Sequence, residues 1–205
     1  PEFALVVGNI FSFIISPKYR LHLKLKKIQP IGKNLYEFIF EKNVPFTFPA
    51  GQYMEWTLSG FKPDLRGNRR YFTIASSPTE SDIRLGVKID KSASSAFKKK
   101  LLSLKPGDTI TASQLSGDFI LPSGSDKKFV FISGGIGITP FRSMIQQTID
   151  TKQKLDTILM YTASEPEEFA YKDILDKAAS LNIRTLYIVT KPENAPKNWN
   201  GLTGR

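Results

Sequence analysis

The 205-residue chain contains no cysteine. That excludes a disulfide framework, a thiolate zinc site and an iron–sulfur cluster ligated by the chain itself. It contains one histidine, His22, which leaves no multi-histidine metal site and argues against a Ser-His-Asp triad; in "YRLHLKLKK" it reads as a solvent-side strand residue. Acid is scarce: 19 Asp and Glu stand against 29 Lys and Arg, a net charge of +10. Such a field favours anionic partners. The cations cluster as Lys18, Arg20, Lys24, Lys26 and Lys27, and again as Lys98, Lys99 and Lys100. Each cluster reads either as a solvated face or as an anion-facing one.

Long apolar runs are also missing. The most apolar stretch, residues 3–15, "FALVVGNIFSFII", is shorter than the roughly 20 residues that span a bilayer. Pro1 in place of Met predicts a piece of a longer chain, and cations directly after the run match the cytoplasmic end of a membrane helix. The competing reading is a short helix packed on the protein surface. On the first, residues 1–17 form the end of a membrane helix, and the protein is membrane-associated with its other domains in the cytoplasm; on the second it is cytoplasmic.

What is present falls into two grammars. From Lys18 to about Pro122, "LHLKLKKI", "LYEFIFE", "GQYMEWTL", "RRYFTIAS", "IRLGVKI" and "DTITASQL" are short β-rich runs separated by turn signals. They predict an antiparallel barrel or sandwich over residues 18–124. One amphipathic helix, "SASSAFKKKLLSL", interrupts them, with Phe97, Leu101, Leu102 and Leu104 on its apolar face. After "PSGSDKK", strands and helices alternate: "FVFIS", "FRSMIQQTI", "LDTILMYTAS", "PEEFAYKDILDKAAS", "IRTLYIVT". That order predicts an open parallel α/β sheet over residues 125–205, and the uninterrupted apolar "FVFIS" predicts a fully buried first strand.

Two stretches carry chemistry. In "RRYFTIASSP", Arg69 to Pro78, cations adjoin aromatics inside a strand, as for a ligand with a phosphate end and a flat end; a half-buried strand with a charged edge is the alternative. In "FVFISGGIGITPFRSMI", a strand runs through Gly134, Gly135 and Gly137 into a helix. Glycines admit a close ligand, Thr139 is the expected N-cap, Pro140 suits the first helical position, and the free N–H groups there favour a pyrophosphate.

In this order, "RRYFTIASSP", "GVKIDKSASSAFKKKL", "KPGDTI" and "SGGIGITP" resemble the ferredoxin–NADP⁺ reductase superfamily over roughly residues 20–205. The resemblance implies a flavin-binding β-barrel followed by a nicotinamide-nucleotide domain, with electrons passing from NADH or NADPH through FAD, in preference to FMN, to an acceptor such as an iron–sulfur protein, haem or quinone. It implies that Arg70 grips a flavin phosphate, Phe72 stacks on the isoalloxazine and Thr73 assists at its redox-active edge. Tyr71, Lys88 and Ser95 belong to the same cofactor site, and Gly134, Gly135, Gly137, Thr139 and Pro140 to the nucleotide turn. Strand alternation puts Arg70 and Phe72 on one face and Tyr71 and Thr73 on the other, so serving one flavin from both faces implies a bend, a bulge or a contact from the Thr73 backbone. Ser92 stands where the family has glycine, and no Cys-Gly-Pro segment follows, so the nucleotide domain reads as C-terminally truncated. The readings left beside the enzyme are a flavin relay without its own nicotinamide use and a basic anion-binding module; nucleic acid is not the expected partner.

Overall fold

The computed structural model describes residues 6–8, 20–42, 44–122 and 127–204. The apolar N-terminal run, apart from a helical turn at 6–8, therefore lies outside the described residues. Among the described residues no helix is long and apolar enough to cross a membrane.

Six strands form the first sheet: β1 (Arg20–Gly32), β2 (Leu35–Glu41), β3 (Tyr53–Thr57), β4 (Arg69–Thr73), β5 (Asp82–Lys88) and β6 (Thr109–Ser116). Their order is β4-β3-β6-β1-β2-β5 and every pairing is antiparallel. The Ala75 N–H donates to the Arg84 carbonyl at 2.8 Å, so the chain beyond β4 closes onto β5. Strict alternation builds this barrel. Leu21, Leu23 and Leu25 point inward, whereas Arg20, His22, Lys24 and Lys26 stay in water. Inside, Phe38, Phe40, Met54, Trp56 and Ile74 are buried, each such side chain contributing about 1.5–3 kcal/mol. Helix α1 (Ala96–Leu102) plugs one end with Phe97 and Leu101.

The second sheet is parallel, in order β10-β9-β8-β7, from β7 (Phe129–Gly134), β8 (Thr157–Ala163), β9 (Ile183–Val189) and β10 (Leu202–Thr203). Helices α2 (Thr139–Thr151) and α3 (Lys172–Ala178) pack against each other. The fold class read from the sequence, a β-barrel followed by a parallel α/β sheet, is the observed one, with three local differences. Strand β7 is buried on one face only: Phe131 and Ser133 point inward, but Val130 and Ile132 are 64% and 69% exposed. Residues 166–180 are not one helix: a 3₁₀ turn spans Pro166–Glu168, and Phe169 after it is extended. The Ala170 N–H donates to the Tyr161 hydroxyl at 3.1 Å, and α3 starts only after Tyr171, at φ +60°. Third, β10 has no counterpart among the expected strands.

Candidate functional site

Strand β4 pairs with β3 without a bulge, Tyr53 facing Thr73, Met54 facing Phe72 and Trp56 facing Arg70. Regular alternation therefore holds and divides the expected flavin residues between two faces. The Phe72 ring packs inward against Phe97, 5.9 Å between centroids. On the outer face Tyr71 is 56% exposed and meets Tyr53 edge-on at 5.8 Å. Tyr53, Tyr71, Phe72 and Thr73 line a cleft of about 390 Å³. The rings most open to this cleft are those of Tyr71 and Tyr53, while that of Phe72 is shared with the core. The Tyr71 hydroxyl donates to Gln114 Oε1 at 3.0 Å. Gly117, at φ +110°, lets the Tyr53 ring lie against it, where a Cβ would come within 3.0 Å.

At the other end of β4 stands a group of cations. Arg70 Nη1 donates to the carbonyls of Arg66, Gly67 and Arg69, and Nη2 to Asp64 Oδ1 at 2.9 Å; its guanidinium lies over the Phe97 ring, 5.3 Å from the centroid. Arg70 therefore closes the loop before its own strand. Ser95 caps α1, its Oγ accepting from the Lys98 N–H at 3.4 Å. Lys88 pairs with Glu168 of the second domain, and its carbonyl accepts from Lys98 Nζ at 2.7 Å. Burial, and then the like charges of Arg66 and Lys88, push the Lys98 pKa below the ordinary lysine value. A cation held where it is disfavoured is relieved by an anion, and a phosphate beside Arg66, Lys88 and Lys98 supplies one.

In the second domain, β7 ends at Gly134, a 3₁₀ turn spans Gly135–Ile138, and α2 follows directly. Gly135 stands in the left-handed region that favours glycine, at φ +49°. Gly137 does not: it is exposed, and a Cβ there would meet only Ser133 Oγ, at 3.9 Å. That oxygen is buried with no hydrogen-bond partner. Open space above Gly137 and an orphaned hydroxyl beneath it fit a polar ligand lying on the turn. Thr139 is not the N-cap: its hydroxyl donates to the Ile136 carbonyl at 3.2 Å, Ile138 holds the cap position, and Pro140 sits in the first turn as expected. Thr139 instead faces the barrel, its methyl against Gly86. His22 is exposed on β1, 3.4 Å from Thr111 Oγ1, as its alternation implies, and far from this chemistry in the sheet order.

Four residues placed here, Lys98, Tyr53, Arg66 and Ser133, are not among the site candidates of the sequence. Lys98 was one of a lysine run, and nothing local distinguishes it from Lys99. Tyr53 becomes a site residue only through its register with Thr73. Arg66 is brought in by a loop.

Residues 131–205 match the family model described as the oxidoreductase NAD-binding domain. The whole chain is similar to ferredoxin–NADP reductase B of Sorangium cellulosum, 28% identical over 185 residues, covering 88% of this chain and 73% of that protein. The resemblance read from the sequence, to the ferredoxin–NADP⁺ reductase superfamily, is the one these comparisons return. The flavohemoprotein of Bacillus subtilis is 29% identical over 147 residues, 71% of this chain, which spans only 36% of that longer protein. A crystal structure of a ferredoxin NADP⁺ reductase from Neisseria gonorrhoeae, with bound FAD and NADP, shares the reductase fold at a TM-score of 0.73 and 20% identity, covering 91% of this chain and 73% of that one.

Proposed function

We propose that this chain is the electron-entry unit of an NAD(P)H-dependent flavoprotein reductase, taking electrons from a nicotinamide nucleotide onto FAD and passing them to an acceptor of the iron–sulfur, haem or quinone class. One observation carries the reading: the flavin strand and the nucleotide turn end at the same seam. Thr73 closes β4, and Ala75 and Ser76, two and three residues on, accept hydrogen bonds from the first turns of α2 at 3.1 and 2.6 Å. Two residues of extended chain span about 7 Å, so Thr73 ends its strand close to the groups that meet the start of α2, the helix that the glycine turn opens.

Tyr53 and Tyr71 would hold the flat end of the flavin, the Thr73 hydroxyl would meet its edge, and Arg70, Ser95 and Lys98 would lie at its phosphate end. Bound there, a flavin supplies chemistry that no side chain of this site has, accepting an electron pair from the nicotinamide and releasing electrons singly. The α2 N-terminus and the Ser133 hydroxyl would orient the nucleotide. Full-length protein should purify yellow, with a flavin absorption band that NADH or NADPH bleaches under anaerobic conditions. A colourless protein that takes up no added FAD overturns the reading; a yellow one bleached by neither nucleotide leaves a flavin relay fed from elsewhere.

The same unit is proposed to sit at the cytoplasmic face of a membrane. Support comes from the apolar run 3–15, the cations after it, and the solvent-facing row Arg20, His22, Lys24 and Lys26 on β1; each cation near an anionic leaflet contributes about 1 kcal/mol. Cells expressing the full gene should retain the protein in the membrane fraction through a high-salt wash. Recovery in the soluble fraction at low salt rules the tether out, and release only by high salt reduces it to a peripheral basic contact.

A further inference from the structure

The seam between the barrel and the α/β sheet is built from polar groups at the two places where position matters most. On the barrel side lies the chain just past Thr73. On the other side lies the start of α2, directly after the glycine turn. Arg142, in the first turn of α2, is only 3% exposed. Its Nη1 donates to the Ala75 carbonyl at 3.1 Å and to Glu80 Oε2, and its Nη2 donates to Glu80 Oε1 at 3.0 Å. Ser143, fully buried, donates to the Ser76 carbonyl at 2.6 Å.

Glu80 is itself anchored. It accepts from the Ser77 N–H at 2.7 Å and lies 2.9 Å from Arg84 Nε. Arg84 in turn holds the buried Glu37 at 2.8 Å. The carboxylate therefore stands between one guanidinium from each domain. Beside it Gly86 leaves room for the approach: a Cβ there would come within 2.7 Å of the Tyr171 hydroxyl and 2.8 Å of the Thr139 methyl.

A buried ion pair is a poor way to gain stability, since well-packed apolar residues often serve as well. It does differ from an apolar contact in direction. Bidentate guanidinium–carboxylate geometry fixes angle and distance together, where an apolar seam would let two domains slide. Interfaces between domains of one chain are mobile unless something restrains them, and a 1 Å error in the approach of reacting groups can cost about a hundredfold in rate.

Resting on the reductase reading above, we propose that Arg142 is a positioning residue. Through Glu80 and the Ala75 carbonyl it sets the distance between the nucleotide turn and the Thr73 cleft, and Gly86 sets how closely the two domains approach.

The test uses the full-length flavin-loaded protein with Arg142→Lys, and Gly86→Ala as a second variant that perturbs the seam without touching a charge. Lysine keeps the charge but cannot fork Glu80 and reach Ala75 together. For Arg142→Lys the expected result is an unchanged flavin content, hydrogen exchange at the Ser77 amide and the first turn of α2 faster by about tenfold or more, and flavin reduction at saturating nucleotide slower by about tenfold to a hundredfold. Nucleotide affinity should stay within about twofold, because the guanidinium is committed to Glu80 and the Ala75 carbonyl. Gly86→Ala should slow saturating reduction in the same way, again at unchanged affinity. Weakened affinity at an unchanged saturating rate overturns the proposal in favour of a role in shaping the nucleotide site. Unchanged exchange and unchanged rate overturn it outright, as does the loss of reduction from Arg142→Lys alone with Gly86→Ala at the wild-type rate. A wild-type protein that neither nucleotide reduces is a failure of the reductase reading, and the exchange measurement, made without nucleotide, still shows whether Arg142 couples the two domains.

Discussion

Gly137→Val in the full-length protein is expected to leave the fold and the flavin content intact while slowing flavin reduction by NADH or NADPH about a hundredfold or more. The split follows from what surrounds this glycine. A Cβ at Gly137 meets nothing closer than Ser133 Oγ at 3.9 Å, an ordinary contact, so neither packing nor backbone conformation requires glycine. Gly51 is the contrast: it lies at φ +103°, and a Cβ there would stand 2.1 Å from the Phe119 carbonyl oxygen. Gly135, at φ +49°, would confound folding with function in the same way. Valine is a better helix former than glycine, and its exposed methyls should move Tm by no more than a few degrees. Over the turn it places two methyl groups where the nucleotide must approach the backbone, and a displacement near 1 Å suffices for the rate loss. Anaerobic stopped-flow reduction with each nucleotide, beside a melting curve, checks both halves. Unchanged rate and affinity would remove the turn from the site.

What could be read in advance was local. Alternation in "RLHLKLKK" and "LYEFIFE" is a property of neighbouring residues, so β1 and β2 were legible, as were α1 from its apolar face and the strand–glycine–helix passage through 129–151. Thr139 was misread because a serine or threonine before Pro usually caps, whereas here a 3₁₀ turn runs straight into α2 and uses the hydroxyl for its own carbonyl. The late start of α3 was not legible because apolar spacing in "FAYKDIL" suits a helix, while the Ala170 N–H bonds the distant Tyr161 hydroxyl and Tyr171 takes a left-handed φ. The bend or bulge offered for β4 is absent: the strand is regular, and the rings most open to the cleft are those of Tyr53 and Tyr71. Arg142 was illegible altogether. In "PFRSMI" it looks like one more helical cation, and its partner Glu80 is 62 residues away. Pairings at that distance are made by the tertiary fold, and one sequence carries no trace of them.

Arg70→Ala should lose most of its flavin, but the structure changes what that loss means. Arg70 makes hydrogen bonds to three carbonyls and to Asp64 at 2.9 Å, so alanine also frees the loop from Asp64 to Arg69. Burial works against it, but the Arg66 N–H and the Arg70 guanidinium hold the Asp64 carboxyl below its usual carboxylate range. A depressed value means that its contribution is present above the ordinary carboxylate pKa and lost as pH falls through the lower folded one, so at neutral pH the loop is closed. Two roles for Arg70 then separate through its partner. Asp64→Asn weakens the loop closure yet leaves the guanidinium charged and freer to turn toward a phosphate. If Arg70 grips the flavin, Asp64→Asn keeps its flavin or binds it more tightly, while Arg70→Ala loses about 3 kcal/mol of charge-assisted bonding, more than about a hundredfold in Kd. If Arg70 only closes the loop, both variants lose flavin together. Titration of the apoprotein variants with FAD, followed by quenching of flavin fluorescence at two salt concentrations, distinguishes the cases: in Asp64→Asn, where Arg70 holds the loop through carbonyls without an ion pair, only a phosphate grip weakens with salt. Wild-type occupancy in Arg70→Ala would take the residue out of the site entirely.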